Sequence, residues 1–558
     1  MRRSLELLLN TALFVIVLAM ATPSLAQPSR EIDILIRHGR IIDGTGNPEF
    51  TGDVAVNGDK IVMVGRQLNV NAKRVIDANG LIVAPGFIDI HSHSDNLLFE
   101  DGSAQSKIRQ GVTTEVLGEG ESAGPNKGSR QSTANTSDRN APWPTLGAYF
   151  SAVERSGISV NVASYVGLNN IWQSAMGTSF DRPSPDQFEQ MKRTLDEAMN
   201  DGALGLSSYL MMPPGSLATL DDLVELCKVV AKHGGIYSSH IRTEGVGVVD
   251  AVKEAISVGE RAGVPVDIIH MKIADEKLWG QMSQLVALVS EARSRGVNVQ
   301  ANVYPYTRGN NNLSSIIPPW AHEGGSAKML ERLRDPEQRK RIKQDVLQGV
   351  DGWYNHYTAV GGDWSRMQVA AENRFKGLTM DRVMALRTAS KNNVDLLDEM
   401  FDFLLEEGGS VSTVFAHHTE ADMNLALSQS WCSIGSDGSA YAIEGPLRRG
   451  NPHPRSFGTF PRVLGEYVRQ RSLLSLEDAV RKMTSLNATK IGLMDRGILR
   501  SQMAADITLF DPAKVKDLAT YTEPFQYSEG ITYVLVNGTI VLDKSKHTGA
   551  TPGRALKR

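Results

Sequence analysis

The chain has 558 residues, 41% of them hydrophobic and 22% charged, which supplies enough apolar material for one large globular domain with something smaller attached. A net charge of -4 gives no basis for nucleic-acid binding. With only Cys227 and Cys432 there is no disulfide framework, and both are expected to be free thiols.

The N-terminus reads as an export signal. Arg2 and Arg3 precede an apolar run from Leu5 to about Ala21, and Thr22-Pro23-Ser24-Leu25-Ala26 offers small residues for cleavage after Ala26. The run is short for a membrane span, and no cysteine follows it to carry a lipid. The expectation is a secreted or periplasmic mature protein with no stable membrane association.

Residues 27–83 form an expected small β module, with strands at 32–42, 53–57, 60–64 and 74–83 separated by turns such as Asn57-Gly58-Asp59 and Asn79-Gly80. The C-terminal part, 491–558, echoes it at 505–510 and 531–541, so the two ends are expected to pair into one β-sandwich. Between them, from 84 to 490, apolar strands alternate with helical stretches. Strands at 86–91, 111–117, 160–166, 203–208, 235–240, 265–270, 297–304 and 432–437 number eight, the count of a TIM (β/α)8 barrel. Ser410 to Phe415 is a surplus strand and leaves the region of the seventh strand open. Helices read most clearly at 185–200, 220–233, 247–262, 281–295 and 476–485. An insertion at about 309–385, with Asn310-Asn311-Asn312, Pro318-Pro319-Trp320 and a charged helical run from Lys328 to Val346, interrupts the rhythm and is expected to cover the barrel mouth.

The chemistry gathers at strand ends. In Pro85-Gly86-Phe87-Ile88-Asp89-Ile90-His91-Ser92-His93, the two histidines are two residues apart and project from one face of a strand. His240 ends the strand at 235–240, His270 the one at 265–270 and Asp437 the one at 432–437. Four imidazoles and a carboxylate converging on one mouth suit zinc and leave a position for water. Zinc lowers the pKa of that water and polarises a carbonyl, while Asp437 can carry the proton to the leaving nitrogen. His417 and His418 precede Thr419, Glu420 and Asp422, which read as a capped helix start.

The Pro-Gly-Phe-Ile-Asp-x-His-x-His stretch resembles the amidohydrolase superfamily. Tyr209-Leu210-Met211-Met212-Pro213-Pro214-Gly215-Ser216, His240-Ile241-Arg242-Thr243-Glu244, His270-Met271-Lys272, Tyr304-Pro305-Tyr306 and His453-Pro454-Arg455-Ser456-Phe457-Gly458-Thr459-Phe460 narrow the resemblance to the D-aminoacylase (N-acyl-D-amino-acid deacylase) family, in the family's order from about 30 to 545. The resemblance implies hydrolysis of N-acyl-D-amino acids to a carboxylate and a D-amino acid by metal-bound hydroxide, with Asp437 as acid/base. It implies a tight zinc position at His240 and His270 and a weaker metal position at His91, His93 and Asp437. It assigns the substrate carboxylate to Lys272, Tyr304 and Arg455, a set that makes physical sense because Arg offers a bidentate fork and Lys a point charge.

One departure stands out. Where the family carries Gly-Asn-Cys-Gly, this chain reads Gly118-Glu119-Gly120-Glu121-Ser122, with the cysteine position falling on Gly120. Glu119, ahead of Glu121, is the expected substitute ligand and is placed to bridge two metals; as a harder ligand it favours two similarly held ions. The strand near 204–209 has no lysine to serve as a carbamylated bridge. The expected function is therefore metal-dependent deacylation of a small N-acylated amino acid. The alternatives are another hydrolase on the same scaffold (dipeptidase, cyclic amidase or lactonase) and a non-catalytic periplasmic metal- or ligand-binding protein.

Overall fold

The two chain ends meet in one nine-stranded sheet. In this computed structural model, which describes residues 31–126 and 143–558, Ile82–Pro85 pairs antiparallel with Ile507–Phe510, Ile82 opposite Phe510 and Pro85 opposite Ile507. The expected signal segment lies outside the described residues. Isoleucine and valine recur along the N-terminal strands Ile32–Ile41 and Phe50–Asn57, as a half-buried pleated surface favours. Ile34, Ile36, Val54 and Val56 share a buried cluster with Ile507, Leu509 and Leu535 from the far end of the chain.

Between the ends lie two arcs of parallel strands. Phe87–Asp89, Val112–Leu117 and Asn161–Ser164 form the first. Val166–Gly167, Gly205–Tyr209, Ile236–His240, Val266–Ile268, Val299–Val303 and Cys432–Ile434 form the second. These fall on the eight stretches marked by the sequence, except that the one at 160–166 is divided at Tyr165 between the arcs. Backbone hydrogen bonds cross both seams. Leu204 N donates to Ser164 O at 2.9 Å on one side; on the other, Asp437 N donates to His91 O at 2.8 Å and His93 N to Gly438 O at 3.0 Å. Helices pack against these strands through apolar stripes: in Pro185–Asn200 the buried Met191, Leu195, Ala198 and Met199 follow the helical period, and Ser184 with Gln187 closes a capping box at its start.

The surplus strand does not belong to either arc. Ser412–Phe415 pairs antiparallel with Gly309–Asn312 and Met367–Val369 in a separate three-stranded sheet. That sheet and its helices enclose their own core, with Leu313, Met329, Leu333, Phe401, Phe403 and Phe415 all buried. The inserted unit therefore runs on to Phe415, past the expected end at 385. Its later helices, Met380–Thr388 and Leu396–Glu406, mimic the βα rhythm in sequence while burying their apolar residues in this second core.

The C-terminal tail seals the seam beside Asn161–Ser164. Val162 N donates to Arg554 O at 2.9 Å, Leu556 N to Val162 O at 2.7 Å and Gly553 N to Ile158 O at 2.8 Å. Deleting residues 552–558 is expected to cost roughly 3 kcal/mol, from three backbone hydrogen bonds at about 1 kcal/mol each. A scanning-calorimetry midpoint equal to that of the full chain would show that the tail holds nothing.

Candidate active site

The functional side chains stand where strands end and the backbone turns. His91 and His93 follow Phe87–Asp89, and Glu119 follows Val112–Leu117 in a loop where Gly118 and Gly120 have φ of 87° and 59°. His240 closes Ile236–His240, while His270 and Asp437 lie just beyond their strands in left-handed backbone conformations, φ 34° and 52°. Non-glycine residues rarely adopt such conformations, and those that do concentrate at functional sites.

These residues converge in two groups. His91, His93, Glu119 and Asp437 each present one ligand atom, all within 4.8 Å of one another, and Glu119, His240 and His270 do the same. Glu119 belongs to both. Its Oε2 is 2.7 Å from His91 Nε2 and 3.1 Å from His93 Nε2. Its Oε1 is buried without a hydrogen-bond partner among the described residues. A buried carboxylate oxygen left unpaired is costly unless a cation takes it. Asp437 divides its oxygens: Oδ1 lies 3.0 Å from His93 Nε2, and Oδ2 lies 2.7 Å from Arg455 Nη1 and 3.8 Å from His270 Nε2.

The electrostatics of the groups favour a cation. Burial raises the Asp437 carboxyl, but Arg455, His91, His93 and His270 override it and hold it far below the usual carboxylate range. Burial likewise works against ionised Glu119, and His91 and His93 hold it well down. Desolvation of the ring lowers the His93 imidazole, although its side chain is 40% exposed, yet Asp437 and Glu119 raise it to about 10. The field that holds a proton on His93 is the field that would hold a metal ion.

Of the three expected carboxylate anchors, Arg455 is placed on the cavity. Its guanidinium stands 4.7 Å over the Tyr304 ring, and its Nε is buried without a hydrogen-bond partner among the described residues, as is the Tyr304 hydroxyl. Lys272 is committed elsewhere: its ammonium pairs with Glu244 and lies 2.8 Å from His270 Nδ1. The cavity encloses about 460 Å³ and is lined by His93, Glu119, His240, His270, Asp437 and Arg455, together with Asn310, Asn311, Asn312, Ser410 and Ser412 from the inserted unit. Glu121 also lines it but joins neither group of ligand atoms. His417 and His418 are buried beside Tyr304, with His418 5.9 Å from its ring, and Thr419 caps the helix Glu420–Leu427 as expected.

Glu244 was not singled out by the sequence. It is buried, pairs with Lys272, and stands 3.1 Å from His270 Nδ1, so it can hold the ring while Nε2 faces Asp437. Burial raises its carboxyl, and Lys272 and His270 bring it well below the ordinary value. The only clue in the sequence was its place four residues after His240. Glu244→Gln is expected to weaken metal retention about 10- to 100-fold. Chelator competition checks this, and unchanged retention would exclude the role.

A family model described as "Amidohydrolase family" matches residues 74–303 and 435–542, more than half of the chain. The chain belongs to the amidohydrolase family. Within it the enzyme groups with the D-aminoacylases: it is 32% identical to a D-aminoacylase of Alcaligenes xylosoxydans xylosoxydans over 95% of this chain and 98% of that one. The structure of N-acyl-D-glutamate deacylase from Bordetella bronchiseptica, complexed with zinc and a phosphonate mimic of the tetrahedral intermediate, superposes with a TM-score of 0.78 at 29% identity, covering 95% of this chain and 100% of that one. A D-aminoacylase structure described for its binuclear metal centre, with one-metal activation and second-metal attenuation, gives 0.79 at 30% identity over 94% and 100%. The internal stretch that the family model leaves unmatched, 304–434, contains the inserted unit of this amidohydrolase.

Proposed function

We propose that this amidohydrolase hydrolyses the amide bond of N-acyl-D-amino acids, with one or two zinc ions held by His91, His93, Glu119, His240, His270 and Asp437. The observation that carries the reading is the pair of ligand groups joined by Glu119 on the cavity, with the Arg455 fork beside Asp437. The donor set, imidazoles with one buried and one half-buried carboxylate, the latter with an unpaired oxygen, fits zinc. Bound zinc supplies Lewis acidity, which acidifies water and polarises the acyl carbonyl.

The chain's own groups do the rest. Arg455 receives the substrate carboxylate through its fork, with Tyr304 beneath it; Lys272, held by Glu244 and beside His270 Nδ1, does not join them. This fixes the scissile amide beside Asp437. Asp437 accepts a proton from the attacking water and returns it to the amide nitrogen, so that carboxylate and free D-amino acid leave. The inserted unit contributes Asn310, Asn311 and Asn312 to the cavity and serves as its cover.

In the same proposal the two arcs close into one (β/α)8 barrel, which the bonds across both seams support. The barrel spans 84–490, with the terminal sheet, 27–83 and 491–558, curling into a sandwich around its shared core. The apolar leader read at 1–26 supports a mature enzyme outside the cytoplasm.

The test is direct. Purified mature protein, with its zinc counted, is incubated with paired N-acetyl-D- and N-acetyl-L-methionine, leucine and glutamate. Free D-amino acid is expected from the D series alone; no release from any pair, with metal bound, would overturn the deacylase reading.

A further inference from the structure

A second polar network lies directly beneath the ligand atoms, and the mechanism above does not use it. Lys107 belongs to the short helix Gln105–Ile108 and has no exposure to solvent. Its ammonium donates to Asp89 Oδ2 at 2.7 Å, Ser436 Oγ at 2.9 Å, Gly438 O at 3.0 Å and Ser92 Oγ at 3.1 Å. Asp89 in turn accepts from Ser436 N at 2.8 Å and Ser436 Oγ at 2.5 Å. Each partner borders a candidate metal ligand. Asp89 is two residues before His91, Ser92 lies between His91 and His93, and Ser436 and Gly438 flank Asp437.

We propose that Lys107, paired with Asp89, is a positioning residue that clamps the first and last parallel strands together and sets Asp437 against His91 and His93. Asp437 needs such a clamp because its backbone is left-handed, at φ 52°, a conformation that persists only where surrounding contacts impose it. The contacts are there. The Gly438 carbonyl accepts from Lys107 Nζ, from His93 N and from Ser92 Oγ, each at 3.0 Å, and Asp437 N is tied to His91 O. A lysine buried only to fill space would be served better by an apolar side chain, since a buried ion pair seldom maximises stability. What the ammonium adds is direction: four oxygens from both sides of the seam point at one charge.

The inference rests on the reading of His91, His93 and Asp437 as metal ligands, and its readouts are independent of any acyl substrate. Lys107→Met keeps the length and removes the charge. Lys490→Met is the matched control, because Lys490 is also buried and pairs with Asp267 at 2.6 Å, yet touches neither Asp437 nor its neighbours at 436 and 438. Both variants are loaded with cobalt in place of zinc, and bound metal and visible absorption are measured. Lys107→Met is expected to hold metal roughly tenfold more weakly and to shift the cobalt spectrum, with Lys490→Met matching wild type in both. Matching behaviour of the two variants, in either direction, would overturn the proposal. Should Lys107→Met not fold, Ser436→Ala removes one arm of the clamp without leaving a buried charge; a wild-type cobalt spectrum and metal affinity in that variant would equally overturn it.

Discussion

Asp437→Asn is expected to lower kcat by roughly 1000-fold, within the range that a positioned general acid/base contributes. The amide keeps the size of the side chain and one oxygen towards His93, so the fold and much of the metal site survive. What disappears is the charged oxygen that faces Arg455 at 2.7 Å, and with it the group that exchanges the proton. The same change has a second consequence. Arg455 is buried, and Asp437 is its anionic partner. With asparagine there, the substrate carboxylate no longer competes for the guanidinium, so N-acyl-D-amino acids should bind at least as tightly as to the wild type. Steady-state kinetics paired with calorimetric binding of N-acetyl-D-methionine separate the two effects. A raised KM with kcat retained would mean that Asp437 serves recognition and not proton transfer.

The parts of this site that were legible in the sequence share one property: their chemistry is local. His91 and His93 declare themselves because a strand repeats every second residue, and His240, His270 and Asp437 because each closes an apolar run. Glu119 emerged from the absence of a thiolate at its neighbour. The parts that were hidden depend on contacts across the chain. Glu244 meets its lysine 28 residues away, and Lys107 meets Ser436 across 329. In sequence a lysine at 107, between Ser106 and Ile108, reads as solvated charge, and only closure of the strands buries it. The same reasoning covers the fold. Ser412–Phe415 has strand composition but pairs antiparallel inside the insertion, and no local pattern tells an apolar run which sheet it will join. Ile82–Pro85 and Ile507–Phe510 both have strand composition, while their joining edge to edge in one sheet is a matter of register.

Glu119→Ala should have the broadest effect of any single change at the metal centre, because it removes a ligand from both groups at once. Bound zinc is expected to fall to a small fraction of the wild-type content after dialysis against a weak chelator, and deacylation roughly 100-fold or more with it. Glu119→Gln should resemble the alanine variant, since it preserves shape and loses the anion that His91 and His93 face. Supplying a cysteine at position 120 in the Glu119→Ala background should fail to restore metal. Gly120 has φ 59°, and a Cβ there would lie 2.4 Å from the Tyr209 Cβ, so the backbone that admits Glu119 excludes a side chain at its neighbour. The loop has thus committed to the carboxylate. A carboxylate is a harder ligand than a thiolate and binds through either oxygen, so the two positions should fill with comparable affinity when zinc is titrated in, with no single dominant step. A Glu119→Ala variant that keeps its zinc through the same dialysis would move the bridge elsewhere. A wild-type titration with one tight equivalent and one far weaker would show that the glutamate restores the ligand without equalising the sites.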